Sequence, residues 1–126
     1  MNTKNAKILI VENEKDLSEA LMTVLMQQGY MVVVADEGET GLKLALSEKP
    51  DLILLDLMMP KMDGLTLLSH LRQDAWGKTA RVVIMTAFDD MDKMTQAVEA
   101  GVEDYIVKTN VTLAKVVEKV QEKLAQ

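Results

Sequence analysis

Aliphatic runs of three or four residues alternate along the chain with longer stretches whose apolar positions follow a helical spacing. The runs are Ile8-Leu9-Ile10-Val11, Met31-Val32-Val33-Val34, Leu52-Ile53-Leu54-Leu55, Val82-Val83-Ile84-Met85 and the brief Tyr105-Ile106-Val107. The central ones lack polar alternation, the pattern of strands covered on both faces. Between them Leu17, Ala20, Leu21, Val24 and Leu25 fall at i, i+3, i+4, i+7 and i+8, one stripe of a helix. Met91, Met94, Ala97 and Val98 repeat it, as do Leu113, Val116, Val117, Val120 and Leu124. Leu42, Ala45 and Leu46 give a shorter version, and so do Leu65, Leu68 and Leu71. Gly29 and Gly101 stand where two of these helices should end, because glycine accepts the left-handed closing conformation.

Five strand–helix units in strict alternation predict a parallel sheet with helices on both faces and right-handed crossovers. Ligands of such sheets bind beyond the carboxyl ends of the strands, so the residue closing each run is where chemistry is expected. The first run ends in Glu12-Asn13-Glu14, the third in Asp56, the fourth in Thr86 and the fifth in Lys108. Carboxylates, an amide, a hydroxyl and an ammonium are thereby brought to one rim. Asp56 is the most informative, since aliphatic residues precede it and Leu57-Met58-Met59 follow. A carboxylate set between apolar segments needs a cation or a hydrogen-bonding role. Magnesium suits a site of this kind, taking one or two carboxylates and phosphate oxygens. A carboxylate can also act as a nucleophile and form an aspartyl phosphate, with Lys108 and Thr86 to serve the transferring oxygens.

Composition narrows the picture further. A chain of 126 residues has room for one domain, here expected over residues 1–126 with no effector domain. With 3% aromatic residues and ten methionines, the core must be aliphatic and thioether-filled, although Met91 and Met94 also suit a partner surface. The absence of cysteine excludes disulfides and thiolate metal sites. Residues 1–7 hold no apolar core for a leader, and no run approaches the ~20 residues of a membrane helix, so a cytosolic protein without membrane contact is expected. A net charge of −6 argues against direct nucleic-acid binding, which wants a basic face. His70, the single histidine, lies one position off the Leu65, Leu68, Leu71 stripe and is expected on the surface rather than in a relay.

The segment Leu54-Leu55-Asp56-Leu57-Met58-Met59-Pro60-Lys61-Met62-Asp63-Gly64 closely resembles the phosphorylation loop of response-regulator receiver domains. Lys7-Ile8-Leu9-Ile10-Val11-Glu12, Met85-Thr86-Ala87 and Asp104-Tyr105-Ile106-Val107-Lys108 resemble their first, fourth and fifth strands, in the same order and spacing. The resemblance, of the chemotaxis-regulator type, implies a flavodoxin-like doubly wound sheet of five strands in the order 2-1-3-4-5 with five helices. It implies a two-component signalling switch, Asp56 receiving a phosphoryl group from a histidine kinase or a histidine phosphotransfer protein with Mg2+ assistance. Such a protein catalyses its own phosphorylation and dephosphorylation without being a conventional enzyme. By the same resemblance Glu12, Asn13, Asp56 and the carbonyl of Met58 hold the metal, while Thr86, the amide of Ala87 and Lys108 hold the phosphoryl oxygens. Tyr105 matches the aromatic switch residue whose rotamer follows Thr86. It reports to the face formed by the fourth helix, fifth strand and fifth helix, open to a downstream protein or a phosphorylation-dependent homodimer.

Two departures from the family qualify this reading. Asn13 replaces the usual second acid, which weakens the metal site, although Glu14 follows it. Lys108-Thr109 replaces a lysine–proline pair whose bond is commonly cis, and a cis bond before a non-proline costs ~2.5–4 kcal/mol. A degenerate receiver acting as a docking module is therefore the alternative. A haloacid-dehalogenase-type phosphatase is disfavoured because Met58 stands where its second Asp belongs. A nucleotide-binding enzyme is disfavoured because Glu12-Asn13-Glu14-Lys15 is no glycine-rich phosphate loop.

Overall fold

The computed structural model describes residues 5–87 and 91–126; residues 1–4, which opened the leader argument, lie outside them. Five strands, β1 (Lys7–Val11), β2 (Met31–Ala35), β3 (Leu52–Asp56), β4 (Val82–Thr86) and β5 (Asp104–Val107), form one parallel sheet ordered β2-β1-β3-β4-β5. The helices are α1 (Lys15–Gln27), α2 (Gly38–Glu48), α3 (Gly64–Gln73), α4 (Met91–Glu99) and α5 (Leu113–Leu124), with short 3-10 turns at Gly77–Thr79 and Lys108–Asn110. The fold is flavodoxin-like, as expected.

Alternation along the strands divides the core in two, because successive side chains leave a strand on opposite faces. Ile8, Ile10, Leu52, Leu54, Val83, Met85 and Ile106 face α1 and α5, meeting Leu21, Leu25, Val116, Val120 and Leu124. Leu9, Val11, Ile53, Leu55, Val82 and Ile84 face the other way, toward Ala45, Leu67, Leu68, Leu71 and Ala97 of α2, α3 and α4. All five residues of β3 and of β4 are buried, which explains their uninterrupted apolar runs.

Gly29 and Gly101 close α1 and α4 with φ of +94° and +79°, as their positions indicated. Two stripes are corrected. On α4 only Met94 and Ala97 are buried, while Met91 and Val98 are 68% and 59% exposed. The packed line continues instead through Ala100, just past the helix end, so this face is turned away from Met91 and Val98. Met94 is therefore a core residue and no part of a partner surface. On α3 the buried line is Gly64, Leu67, Leu68 and Leu71, at i, i+3, i+4 and i+7, leaving Leu65 half-buried. His70 is exposed. Every peptide bond among the described residues is trans, that between Lys108 and Thr109 included.

Candidate functional site

Parallel register gathers the strand ends. Val11 pairs with Leu55, so the next residues, Glu12 and Asp56, lie side by side. Asp56 pairs with Met85, which places Thr86 one step beyond, and Thr86 pairs with Val107, which places Lys108 after it. Glu12, Asp56 and Thr86 are buried to 0%, 2% and 3% exposure. Polar groups this deep need partners, and Glu12 and Asp56 find theirs in the Lys108 ammonium and in backbone amides.

Lys108 is the centre of that arrangement. Its ammonium lies 3.0 Å from Asp56 Oδ2 and 2.5 Å from Glu12 Oε1, with Glu14 Oε2 at 3.9 Å. Asp56 Oδ1 accepts the amide of Met58 at 3.0 Å, and Glu12 Oε2 accepts the amide of Glu14 at 2.9 Å. Burial opposes the charge on Lys108, but hydrogen bonds and attraction from Glu12 and Asp56 outweigh it and hold the lysine above its ordinary value. Burial pushes Glu12 upward, and this outweighs the lowering by Lys108 and by the Glu14 amide. Lys108 thus stays protonated, while burial makes Glu12 easier to neutralise than an exposed glutamate.

The β3–α3 loop is pressed onto this pocket. Lys61 adopts φ +66°, and the Met62 amide turns back to the Pro60 carbonyl at 2.8 Å. Lys61 Nζ pairs with Glu37 Oε2 at 3.2 Å, at the start of α2. Asp63 caps α3 by accepting the Thr66 amide at 2.8 Å. Gly64 then passes so close that an added Cβ would stand 2.5 Å from the Asp56 carbonyl oxygen.

The remaining candidates fall as follows. Asn13 is exposed; with its carboxamide nitrogen turned to the acids, it donates to Glu12 Oε2 at 3.2 Å and Asp56 Oδ2 at 3.3 Å. Ala87 is half-buried beside Thr86. Met58 contributes its amide to Asp56, while its side chain is 45% exposed. Tyr105 sits opposite Ile84 in register and is 46% exposed. Glu14 lies at the edge of the cluster, 3.9 Å from the Lys108 ammonium, with its side chain 60% exposed.

Sequence reasoning missed Lys93, whose ammonium lies 3.2 Å from Met58 Sδ. No spacing signal marked it, because the rotation of α4 about its own axis is set by packing rather than by spacing.

A divalent cation is a natural guest for this donor set. Among the described residues no three acidic or imidazole groups converge as ligands, so the set is the carboxylates of Glu12 and Asp56 with an amide beside them. Glu12 Oε1 is fully buried, and its close partner is the Lys108 ammonium. Two buried carboxylates side by side at the strand ends, with one cation between them, fit magnesium, which asks for few protein oxygens and completes its shell with water.

The molecule is thus a doubly wound α/β domain with an acid pocket and a fixed lysine at the carboxyl ends of its strands. The chain belongs to the response regulator receiver domain family, whose model matches residues 8–121. It is 39% identical over 104 residues to the alkaline phosphatase synthesis transcriptional regulatory protein PhoP of Bacillus subtilis, covering 82% of this chain and 42% of PhoP. The fold matches the CheY-like response regulator receiver domain protein of Methanospirillum hungatei at TM-score 0.88 and 27% identity, covering 95% and 94% of the two chains. It matches the BeF3-activated N-terminal receiver domain of Klebsiella pneumoniae RstA at TM-score 0.83 and 32% identity, covering 95% and 99%. The chain spans less than half the length of the curated relatives it matches. No helix among the described residues is long and apolar enough to cross a membrane.

Proposed function

We propose that this domain is a phosphorylation-dependent switch in which Asp56 accepts a phosphoryl group from the phosphohistidine of a sensor kinase or a histidine phosphotransfer protein in the cytoplasm. The observation that carries the reading is Asp56 itself, a carboxylate at 2% exposure with one oxygen on the Lys108 ammonium and the other on the Met58 amide.

Both hydrogen bonds orient the carboxylate for attack. One oxygen attacks phosphorus in line, the P–N bond breaks with its electron pair passing to the imidazole nitrogen, and an O–P bond forms. Lys108, the Thr86 hydroxyl and the Ala87 amide would take the transferring oxygens, the fixed charges and donors this chemistry needs. Glu12, Asp56, the oxygen of Asn13 and the carbonyl of Met58 would hold Mg2+, which supplies further positive charge when bound. Capture of the phosphoryl group by Thr86 would draw Tyr105 inward. That would reshape the face of α4, β5 and α5, whose β5–α5 part holds a cavity of about 530 Å3 lined by Tyr105, Val111, Lys115, Glu118, Lys119 and Glu122 among others. This face would receive the downstream protein or a second copy of the chain. We assign nucleic-acid contact to no surface of this domain.

Asn13 supports a second reading, a docking module whose metal site is too weak for phosphorylation. A small phosphodonor such as phosphoramidate, with and without magnesium, separates the two by mass spectrometry. A single added phosphoryl mass that requires magnesium and vanishes in Asp56→Asn is expected. Undiminished labelling of that variant would remove Asp56 as acceptor, and no labelling of the unaltered chain would favour the docking module.

A further inference from the structure

The loop that follows Asp56 bends sharply at Lys61. The φ of Lys61 is +66°, in the left-handed region, and the Met62 amide donates across it to the Pro60 carbonyl at 2.8 Å. A hydrogen bond closing over one residue of positive φ makes a γ-turn of the rare, strained kind. A lysine keeps such a backbone only where its surroundings hold it there. The start of α2 supplies two holds. Glu37 stands at the N-cap of α2, yet its carboxylate makes no cap bond to the helix backbone. It turns to the loop instead, with Oε2 on Lys61 Nζ at 3.2 Å and Oε1 accepting the Thr40 hydroxyl at 3.5 Å. Beside it Gly38 lets the loop seat against the helix, since an added Cβ would overlap the Met62 carbonyl oxygen.

We infer that Glu37 is a positioning residue for the metal site and acts through Lys61. Their ion pair latches the γ-turn, and the γ-turn sets the carbonyl of Met58, on the same loop, toward the cation. This rests on the reading of Glu12, Asp56 and Met58 as magnesium ligands. Without the latch Lys61 relaxes toward an ordinary conformation, and fewer molecules hold the loop ready for metal. Apparent affinity falls by the fraction that is lost. Charge alone would work differently. A glutamate attracts a dication and a lysine repels it, so as bare charges the two residues act in opposite senses, whereas as a latch they act alike. Glycine separates conformation from charge, because it adopts positive φ without strain and needs nothing to hold it there.

Magnesium is titrated calorimetrically into the full chain at physiological ionic strength, where exposed charges are screened. Glu37→Ala and Lys61→Ala should each bind it about three-fold more weakly, a size within reach of an exposed ion pair. Lys61→Gly should bind like the unaltered chain, and adding Glu37→Ala to it should change nothing. Without metal, the Met62 amide should exchange with solvent faster in both alanine variants, which reads the turn independently of the ion. Binding that stays intact in Glu37→Ala, or tightens in Lys61→Ala, would overturn the role of Glu37 alone. So would a Lys61→Gly chain as weak as Lys61→Ala. No magnesium binding by the unaltered chain would remove the metal reading, and the positioning role with it.

Discussion

The ammonium of Lys108 and the carboxylate of Asp56 lie 3.0 Å apart although 52 residues separate them in the chain. The same ammonium stands 2.5 Å from Glu12, so one cation neutralises two buried acids. Replacing Lys108 with Ala would leave both buried carboxylates facing each other without a cation between them. Breaking a buried pair costs ~3–5 kcal/mol, and the low end is expected because the lysine is 11% exposed on its side chain. Urea unfolding at pH 7 measures the loss. Magnesium should restore much of it by replacing the missing charge, and a midpoint that does not respond to magnesium would argue that the metal binds elsewhere.

Gly64 and Asp56 are linked through the backbone rather than through charge. A Cβ at Gly64 would lie 2.5 Å from the Asp56 carbonyl oxygen and 2.7 Å from Leu57 Cα. Neither is the end of a flexible side chain, so the start of α3 or the end of β3 must shift. Overpacking of this kind costs ~1–3 kcal/mol. Gly64→Ala should lower the thermal midpoint and slow labelling by phosphoramidate together, since the displaced strand end carries Asp56, the proposed acceptor. A stability loss with unchanged labelling would show that α3 alone moves.

The sequence showed most of this site for a simple geometric reason. Adjacent parallel strands of similar length stay in register, so the polar residue after each apolar run arrives at the same rim. Glu12, Asp56, Thr86 and Lys108 were therefore legible without any knowledge of packing. Rotation of a helix about its own axis is set by its neighbours, and that is why the α4 stripe included the exposed Met91 and Val98. The Lys93 contact depends on that same rotation and was invisible. So was the amide of Asn13 as a donor to both acids, because its direction depends on carboxylates from two different strands.

At the far end of β5, Asp104 makes the stability of the domain sensitive to acid. Burial alone would raise its pKa, but hydrogen bonds from Lys119 at 2.8 Å and from the Tyr105 amide, with Lys123 at 3.6 Å, hold it below the ordinary aspartate range. A carboxyl with a depressed folded pKa contributes stability above its unfolded value and loses it as pH falls through the depressed one. Asp104→Asn should therefore destabilise at neutral pH, by about 1 kcal/mol or less because the cluster is partly solvated. The difference from the unaltered chain should close at strongly acid pH. Chemical denaturation across pH 2–7 checks this, and a difference that persists unchanged in acid would mean that the charge of Asp104 is not what matters.

Asn13 is the residue through which metal affinity should be most readily raised. With its carboxamide nitrogen turned to the acids, Asn13 donates to Glu12 at 3.2 Å and Asp56 at 3.3 Å, drawing the two acids toward a neutral donor. Asn13→Asp would exchange those donations for a third negative charge, offset only by Lys108 at its centre and by solvent at its mouth. Without metal the variant should be less stable. With magnesium the sign reverses, because a dication gains from the added carboxylate and no longer has to compete with the amide. A unit charge about 4 Å from the ion is worth ~1–4 kcal/mol per charge between water-like and protein-surface dielectrics, and the exposure of Asn13 places the gain toward the lower end. Titration calorimetry reads the affinity directly, whereas the half-buried Trp76 lies beyond the far end of α3 and reports poorly on the pocket. Urea unfolding in chelator reads the metal-free cost. Tighter magnesium binding together with lower metal-free stability is the expected pair of results. Equal or weaker affinity would show that the Asn13 oxygen is already a sufficient ligand or that Glu14 turns in to take the place of the missing acid.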